Sequence, residues 1–161
     1  MQILLVRHAE AVDMRSAPSD FDRWLTAAGR RAMTRVGEAL SSSGMQYTRI
    51  YTSPLVRAVQ TAEILAASAP AFEGPLEVQR ALSTEEGTTA QALSPLEHAP
   101  HDALIVMVTH MPKVGVLTAH LGGLVSAPAF RTGSACLLSI DEGKGRVEWM
   151  LDPSSLERRL P

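Results

Sequence analysis

Six consecutive apolar residues, Ala103 to Val108, constrain this chain most. With no polar position alternating among them, both faces of such a strand must be covered, which places it centrally in a mostly parallel sheet. The rest of the chain repeats the pattern of a short apolar run followed by helical spacing, the alternation expected of an α/β domain. Ile3 to Val6 reads as a buried opening strand, and residues 12–24 read as a polar loop. Thr26 caps a helix through about Leu40, with Ala28, Ala32, Val36 and Leu40 on one side and Gly44 closing the segment. Arg49 to Thr52 reads as a strand. Ser53-Pro54 then opens a helix to about Ala69, with Ser53 as N-cap and Pro54 in the first helical position. Leu76 to Val78 suits a short strand, and Thr84 to Glu97 a loop holding a short helix. After His110-Met111-Pro112 a helix runs to about Leu121 and stops at Gly122-Gly123. Ala135 to Ile140 and Arg146 to Leu151 form a closing hairpin around Glu142 to Gly145. The domain is expected over residues 1–153, with residues 154–161 a short, loosely held tail.

Composition narrows the classes of function. At 161 residues and 45% hydrophobic content the chain suits one domain with a substantial core. A formal net charge of -2 offers no basic surface for a nucleic-acid backbone, and no apolar stretch approaches the roughly 20 residues of a membrane helix. The first residues lack a basic region, a long apolar core and a cleavage site, so a signal peptide is not expected. Cys136 is the only cysteine, so no intrachain disulfide can form. Both points suit a cytoplasmic protein.

Three segments place ionisable side chains just after a strand. Arg7-His8 follows Val6, Arg57 lies one turn into the helix after Thr52, and His110 follows Val108-Thr109. In an open parallel sheet the carboxyl ends of the strands form the binding edge, so two arginines and two histidines can meet there. Guanidiniums grip phosphoryl oxygens bidentately and balance their charge during transfer. A neutral imidazole can attack phosphorus, and a second one, if protonated, adds a cationic donor. Such a set needs no metal or cofactor. Singly, each residue is ordinary: a strand terminus, a solvated helix arginine, an edge histidine.

These segments resemble the histidine phosphatase superfamily, whose signature is Arg-His-Gly after the first strand. Leu5-Val6-Arg7-His8-Ala9-Glu10 carries it with Ala9 in place of the glycine. The likeness continues through Arg23-Trp24-Leu25-Thr26 with Gly29, through Tyr51 to Ala58 with Gln60-Thr61-Ala62, and through Val106 to His110 with Pro112. It spans about two-thirds of the chain in the family's order. The resemblance implies a three-layer α/β/α sandwich of phosphoglycerate-mutase type. It makes His8 the nucleophile and Arg7, Arg57 and His110 the phosphate pocket. Within the superfamily the chain is most similar to small SixA-type phosphohistidine phosphatases. Such an enzyme acts on a phosphohistidine-bearing protein, a histidine phosphotransfer domain or phosphocarrier, and is expected to work as a monomer. The alternatives are a phosphatase for small phosphomonoesters and a phosphoprotein-binding module without turnover.

Many relatives carry a proton-donating Glu in a Leu-x-Glu context before a Gly. The matching stretch here is Ala81 to Gly87, where Ser83 holds the acid's position and Glu85 and Glu86 are out of register. An alkoxide leaves poorly without a proton, whereas the imidazole of phosphohistidine can be protonated on its other nitrogen and depart neutral. The missing acid therefore favours N–P substrates.

Other candidates read as ordinary. His98 and His101 flank Pro100 in a solvated turn, and His120 is a surface helix residue. Asp20-Phe21-Asp22 lacks the apolar strand that an aspartate nucleophile requires. Cys136 lies among leucines, with Glu142 where a thiol phosphatase needs Arg. Phe130 to Ser134 either connects elements or borders the pocket.

Overall fold

In the computed structural model, which describes residues 1–160, Leu104–Thr109 forms β4, buried along its whole length. The strands before it are β1 (Gln2–Arg7), β2 (Arg49–Thr52) and β3 (Leu76–Val78); those after it are β5 (Ala135–Asp141), β6 (Lys144–Leu151) and β7 (Arg158–Arg159). They form one seven-stranded sheet in the order β3-β2-β4-β1-β5-β6-β7. The pairs β3-β2, β2-β4 and β4-β1 are parallel, and β5, β6 and β7 add by antiparallel pairing, so the sheet is mixed.

Strand alternation assigns the two faces. Leu4, Val6, Ile50, Val106, Val108 and Leu137 point to one side. There they meet Met33, Val36 and Leu40 of α1 (Ala27–Ser42) and Ala58, Ala62 and Leu65 of α2 (Val56–Ala67). Ile3, Leu5, Ile105, Met107 and Leu138 point the other way. They pack on Ala92 of the short α3 (Thr89–Leu93) and on Val114 and Leu117 of α4 (Lys113–Gly122). Burying a Leu, Val or Ile side chain stabilises by roughly 1.5–3 kcal/mol. With both faces covered the architecture is the expected α/β/α sandwich.

Local chemistry sets several boundaries as expected. Thr26 accepts from Gly29 N at 2.9 Å as N-cap of α1, and Gly123 closes α4 at φ 62°. A Cβ on Gly29 would strike the Glu10 carbonyl, so this position needs a residue without one. The β5–β6 hairpin turns on Glu142 and Gly143 alone, both at positive φ, a tighter turn than the expected Glu142 to Gly145, because Lys144 and Gly145 already pair with Asp141 and Ile140.

Two expectations are corrected. Ser53 does not cap α2: the helix begins at Val56, and its N-cap, Leu55, makes no side-chain cap. Backbone donors there find other acceptors, with Leu55 N donating to Ser53 Oγ at 3.3 Å and Val56 N to Phe21 O at 3.1 Å. Nor is the stretch from Pro153 to Arg159 loose. Arg158 and Arg159 pair with Leu151 and Met150, and the Arg158 guanidinium lies 4.5 Å from the Trp149 ring centroid. No helix among the described residues is long and apolar enough to cross a membrane.

Candidate active site

Register brings the site together. Thr52 aligns with Val108 and Arg7 with Thr109, so the neighbouring strands β2, β4 and β1 end at one level. His8 N donates to Thr109 O at 3.0 Å and Ser53 N to Val108 O at 3.0 Å, which carries the pairing into the residues just past the strands. The His8 and His110 rings lie 4.9 Å apart between centroids. Arg57 reaches the same edge from the first turn of α2. His8, Arg57 and His110 are 7%, 3% and 2% exposed, which is unusual for such polar groups and calls for partners.

The partners of His8 define its state. Its Nδ1 lies 2.7 Å from Ala9 O, and a carbonyl only accepts, so Nδ1 carries the hydrogen and Nε2 the lone pair. Burial lowers its pKa to about 4, with Arg57, Arg7 and Arg23 acting the same way against the Ala9 hydrogen bond. Thr61 fixes the loop just beyond. It accepts from Ala9 N at 3.1 Å and donates to Arg57 O at 2.7 Å, tying β1 to α2. Arg7 Nη1 donates to Phe130 O at 2.6 Å, and Gly133 N to Arg7 O and His8 O at 3.1 and 3.0 Å. The Phe130 to Ser134 segment thus borders the site.

His110 Nε2 lies 2.7 Å from Ser53 Oγ. Burial, then the charges of His8 and Arg57, lower its pKa to about 3. It is therefore neutral at pH 7 in this arrangement of charges. Ser53 Oγ also accepts from Leu55 N at 3.3 Å; when its own hydrogen goes to Nε2, the ring proton of His110 sits on Nδ1.

Asp20, part of the rejected Asp20-Phe21-Asp22 motif, is no nucleophile but belongs to this site. Its carboxylate takes Arg57 Nη2 and Arg23 Nη1, each at 2.9 Å, and its carbonyl takes Arg57 Nη1 at 2.6 Å. Burial pushes this carboxyl up, but the bonds and charges of Arg23 and Arg57 hold it below the usual range. Among the described residues, four buried side-chain polar atoms lack a hydrogen-bond partner, and three are here: Arg7 Nε, Arg57 Nε and His110 Nδ1. A buried unpaired donor costs about 1–3 kcal/mol, so three such atoms among the residues of one sheet edge are unusual for a folded chain.

Ser83 is buried at 4% exposure, accepts from Glu86 N at 3.0 Å and presents no carboxyl. Lys113 Nζ holds this turn through Ala81 O at 2.7 Å and Glu86 O at 2.5 Å. Glu85 and Glu86 are exposed and line a cavity of about 140 Å³ shared with Asp20 and Phe21. His98, His101 and His120 are exposed and outside the site. The Cys136 thiol is buried and raised to about 12, the wrong direction for a nucleophile. Among the described residues no three His, Cys, Asp or Glu side chains gather to hold a metal ion.

The structure brings Arg7, His8, Arg57 and His110 to one edge and adds Ser53, Thr61 and Asp20 as their partners. Thr61 stands four residues after Arg57, on the same helix face, a spacing visible in sequence. Asp20 carries no such local signal, because the loop folding back brings it to Arg57.

Known proteins resemble the chain in sequence and in fold. An uncharacterised protein of Picosynechococcus is 39% identical over 92% of this chain and 89% of its own length. Phosphohistidine phosphatase SixA of Escherichia coli is 27% identical over 98% of this chain and 97% of its own. A solved structure of the protein histidine phosphatase SixA complexed with tungstate superposes with a TM-score of 0.87 at 28% identity, covering 98% of this chain and all of that one. The sequence profile of the histidine phosphatase superfamily (branch 1) matches residues 3–83, half of the chain and the part that holds Arg7, His8 and Arg57, and the chain belongs to that superfamily.

Proposed function

We propose that this chain is a metal-independent phosphatase that works through a phospho-His8 intermediate and favours phosphohistidine on a signalling or carrier protein. The observation that carries the reading is His8 itself. It is a buried, neutral imidazole whose Nδ1 hydrogen is spent on Ala9 O, beside two arginines. A group that only bound phosphate would gain from a cation there, whereas a nucleophile needs the lone pair.

The Nε2 lone pair of His8 forms a bond to phosphorus as the bond from phosphorus to the leaving group breaks. Arg7 and Arg57 balance the charge spread over the transferring oxygens, and the Nδ1 hydrogen of neutral His110 adds a donor. Ala9 O stabilises the positive charge that grows on the His8 ring. The leaving imidazole of a phosphohistidine substrate takes a proton from solvent and departs neutral. Water then attacks the phospho-His8, releases inorganic phosphate and returns the ring to its starting tautomer. The tungstate that the related SixA structure contains is a tetrahedral oxyanion like phosphate, which supports an oxyanion pocket here.

The phosphohistidine preference rests on Ser83, which leaves a strong acid out of the buried position. A second reading, a phosphatase for small phosphomonoesters, draws on Glu85 and Glu86 beside the cavity next to Asp20. One panel separates the two. Phosphohistidine proteins, phosphoserine proteins and sugar phosphates are offered to the purified chain and phosphate release is followed. The proposed reading requires kcat/KM to be highest on phosphohistidine. Preference for a sugar phosphate would replace it with the second reading.

A further inference from the structure

We propose that Asp20 determines the affinity and selectivity of the site by competing with the substrate's phosphoryl group for Arg57, an inference that rests on the phosphatase reading above. Asp20 engages both terminal nitrogens of this guanidinium, through Oδ2 at 2.9 Å and through its carbonyl at 2.6 Å. The next carbonyl, Phe21 O, takes the first backbone N–H of α2 from Val56 at 3.1 Å. One loop tip thus occupies with oxygens the two kinds of donor that an oxyanion would use there, a guanidinium fork and a helix N-terminus. The Arg57 side chain is only 4% exposed and its Nε has no partner. A phosphoryl group therefore gains the full fork only by taking Asp20's place.

The loop is built for that exchange. Its ends are tied: Val12 N donates to Trp24 O at 2.9 Å, Arg23 Nε to Val12 O at 2.7 Å, and Leu25 N to the Gln60 side chain at 2.8 Å. Its tip buries little, with Met14 and Phe21 at 57% and 50% exposure. Displacing the tip therefore breaks a few hydrogen bonds and little apolar packing. When Asp20 leaves, Arg23 also loses its carboxylate and can turn its charge toward the incoming anion. A dianionic phosphoryl group can displace a carboxylate from a guanidinium, whereas a singly charged anion competes on even terms. The same exchange helps eject inorganic phosphate after turnover.

Competition and simple support make opposite predictions. Binding of inorganic phosphate and of formate is measured calorimetrically on the wild-type chain and on D20N, D20S and R57A, with thermal melts as a check on folding. Competition requires D20N and D20S to bind phosphate about tenfold more tightly than wild type, the effect of one charge-assisted hydrogen bond, and to bind formate measurably where wild type does not. Steady-state kinetics should show KM falling in D20N while kcat does not rise. Equal or weaker phosphate binding in both Asp20 variants overturns the competition and leaves the phosphatase reading standing. Wild-type phosphate binding no tighter than that of R57A overturns the phosphatase reading, and the competition with it.

Discussion

Burying His8 and His110 in neutral form makes the fold sensitive to mild acid, and the size of the effect follows from their environment. Their folded pKa values of about 4 and about 3 lie below the roughly 6.5 of an unfolded histidine. Between these limits the unfolded chain binds more protons than the folded one, so stability falls as pH drops below about 6.5 and levels off only near the folded values. From pH 7 to pH 5 an unfolded histidine becomes almost fully protonated while both buried rings stay neutral, a loss of about 2 kcal/mol for each and about 3–4 kcal/mol together. That is a large share of the roughly 5–15 kcal/mol that holds a typical domain folded. Urea denaturation at pH 7 and pH 5 measures it, with wild type compared against His8→Gln and His110→Gln. Carboxylates titrate alike in all three and cancel in the comparison. Each variant should lose about 2 kcal/mol less than wild type over this interval. Equal losses in all three would show that neither ring is held neutral by burial.

Further outcomes concern the chemistry. Arg57→Lys should lower kcat/KM about 100- to 1,000-fold, nearly as much as Arg57→Ala, because a point charge does not reproduce a planar fork; stopped assays on both variants check this. Activity should persist in EDTA, since fixed guanidiniums supply the charge; loss on chelation restored by added metal would contradict it. Across phosphomonoesters of rising leaving-group pKa, the rate of enzyme phosphorylation should fall steeply in wild type. A flat series that turns steep in Glu85→Gln or Glu86→Gln would identify an acid at the cavity and favour small-molecule substrates.

The sheet and its covering helices were legible because their signals are local. The unbroken Ala103 to Val108 run and the spaced apolar residues from Ala28 to Leu40 report burial directly. Arg7, His8, Arg57 and His110 were legible because strand ends in such a sheet converge by topology. What failed depended on distant partners. Ser53 has the look of an N-cap, yet its hydroxyl pairs with His110, 57 residues away. Asp20 lies in a polar loop like any other until the loop folds back on an arginine 37 residues on. The tail after Pro153 looked unanchored because its pairing with β6 and the stacking of Arg158 on Trp149 are tertiary. The charge of His110 was open for the same reason, since burial sets it and sequence spacing does not.

The central claim is that His8 carries the phosphoryl group. Rapid acid-free quenching after mixing the enzyme with a phosphohistidine protein, followed by mass spectrometry of its peptides, tests it directly. The expected result is a transient, acid-labile phosphoryl group on His8, formed before phosphate appears in solution and lost in His8→Ala together with turnover. Phosphate release at full rate with no phosphoryl group on the enzyme, or with the group on another residue, would contradict it.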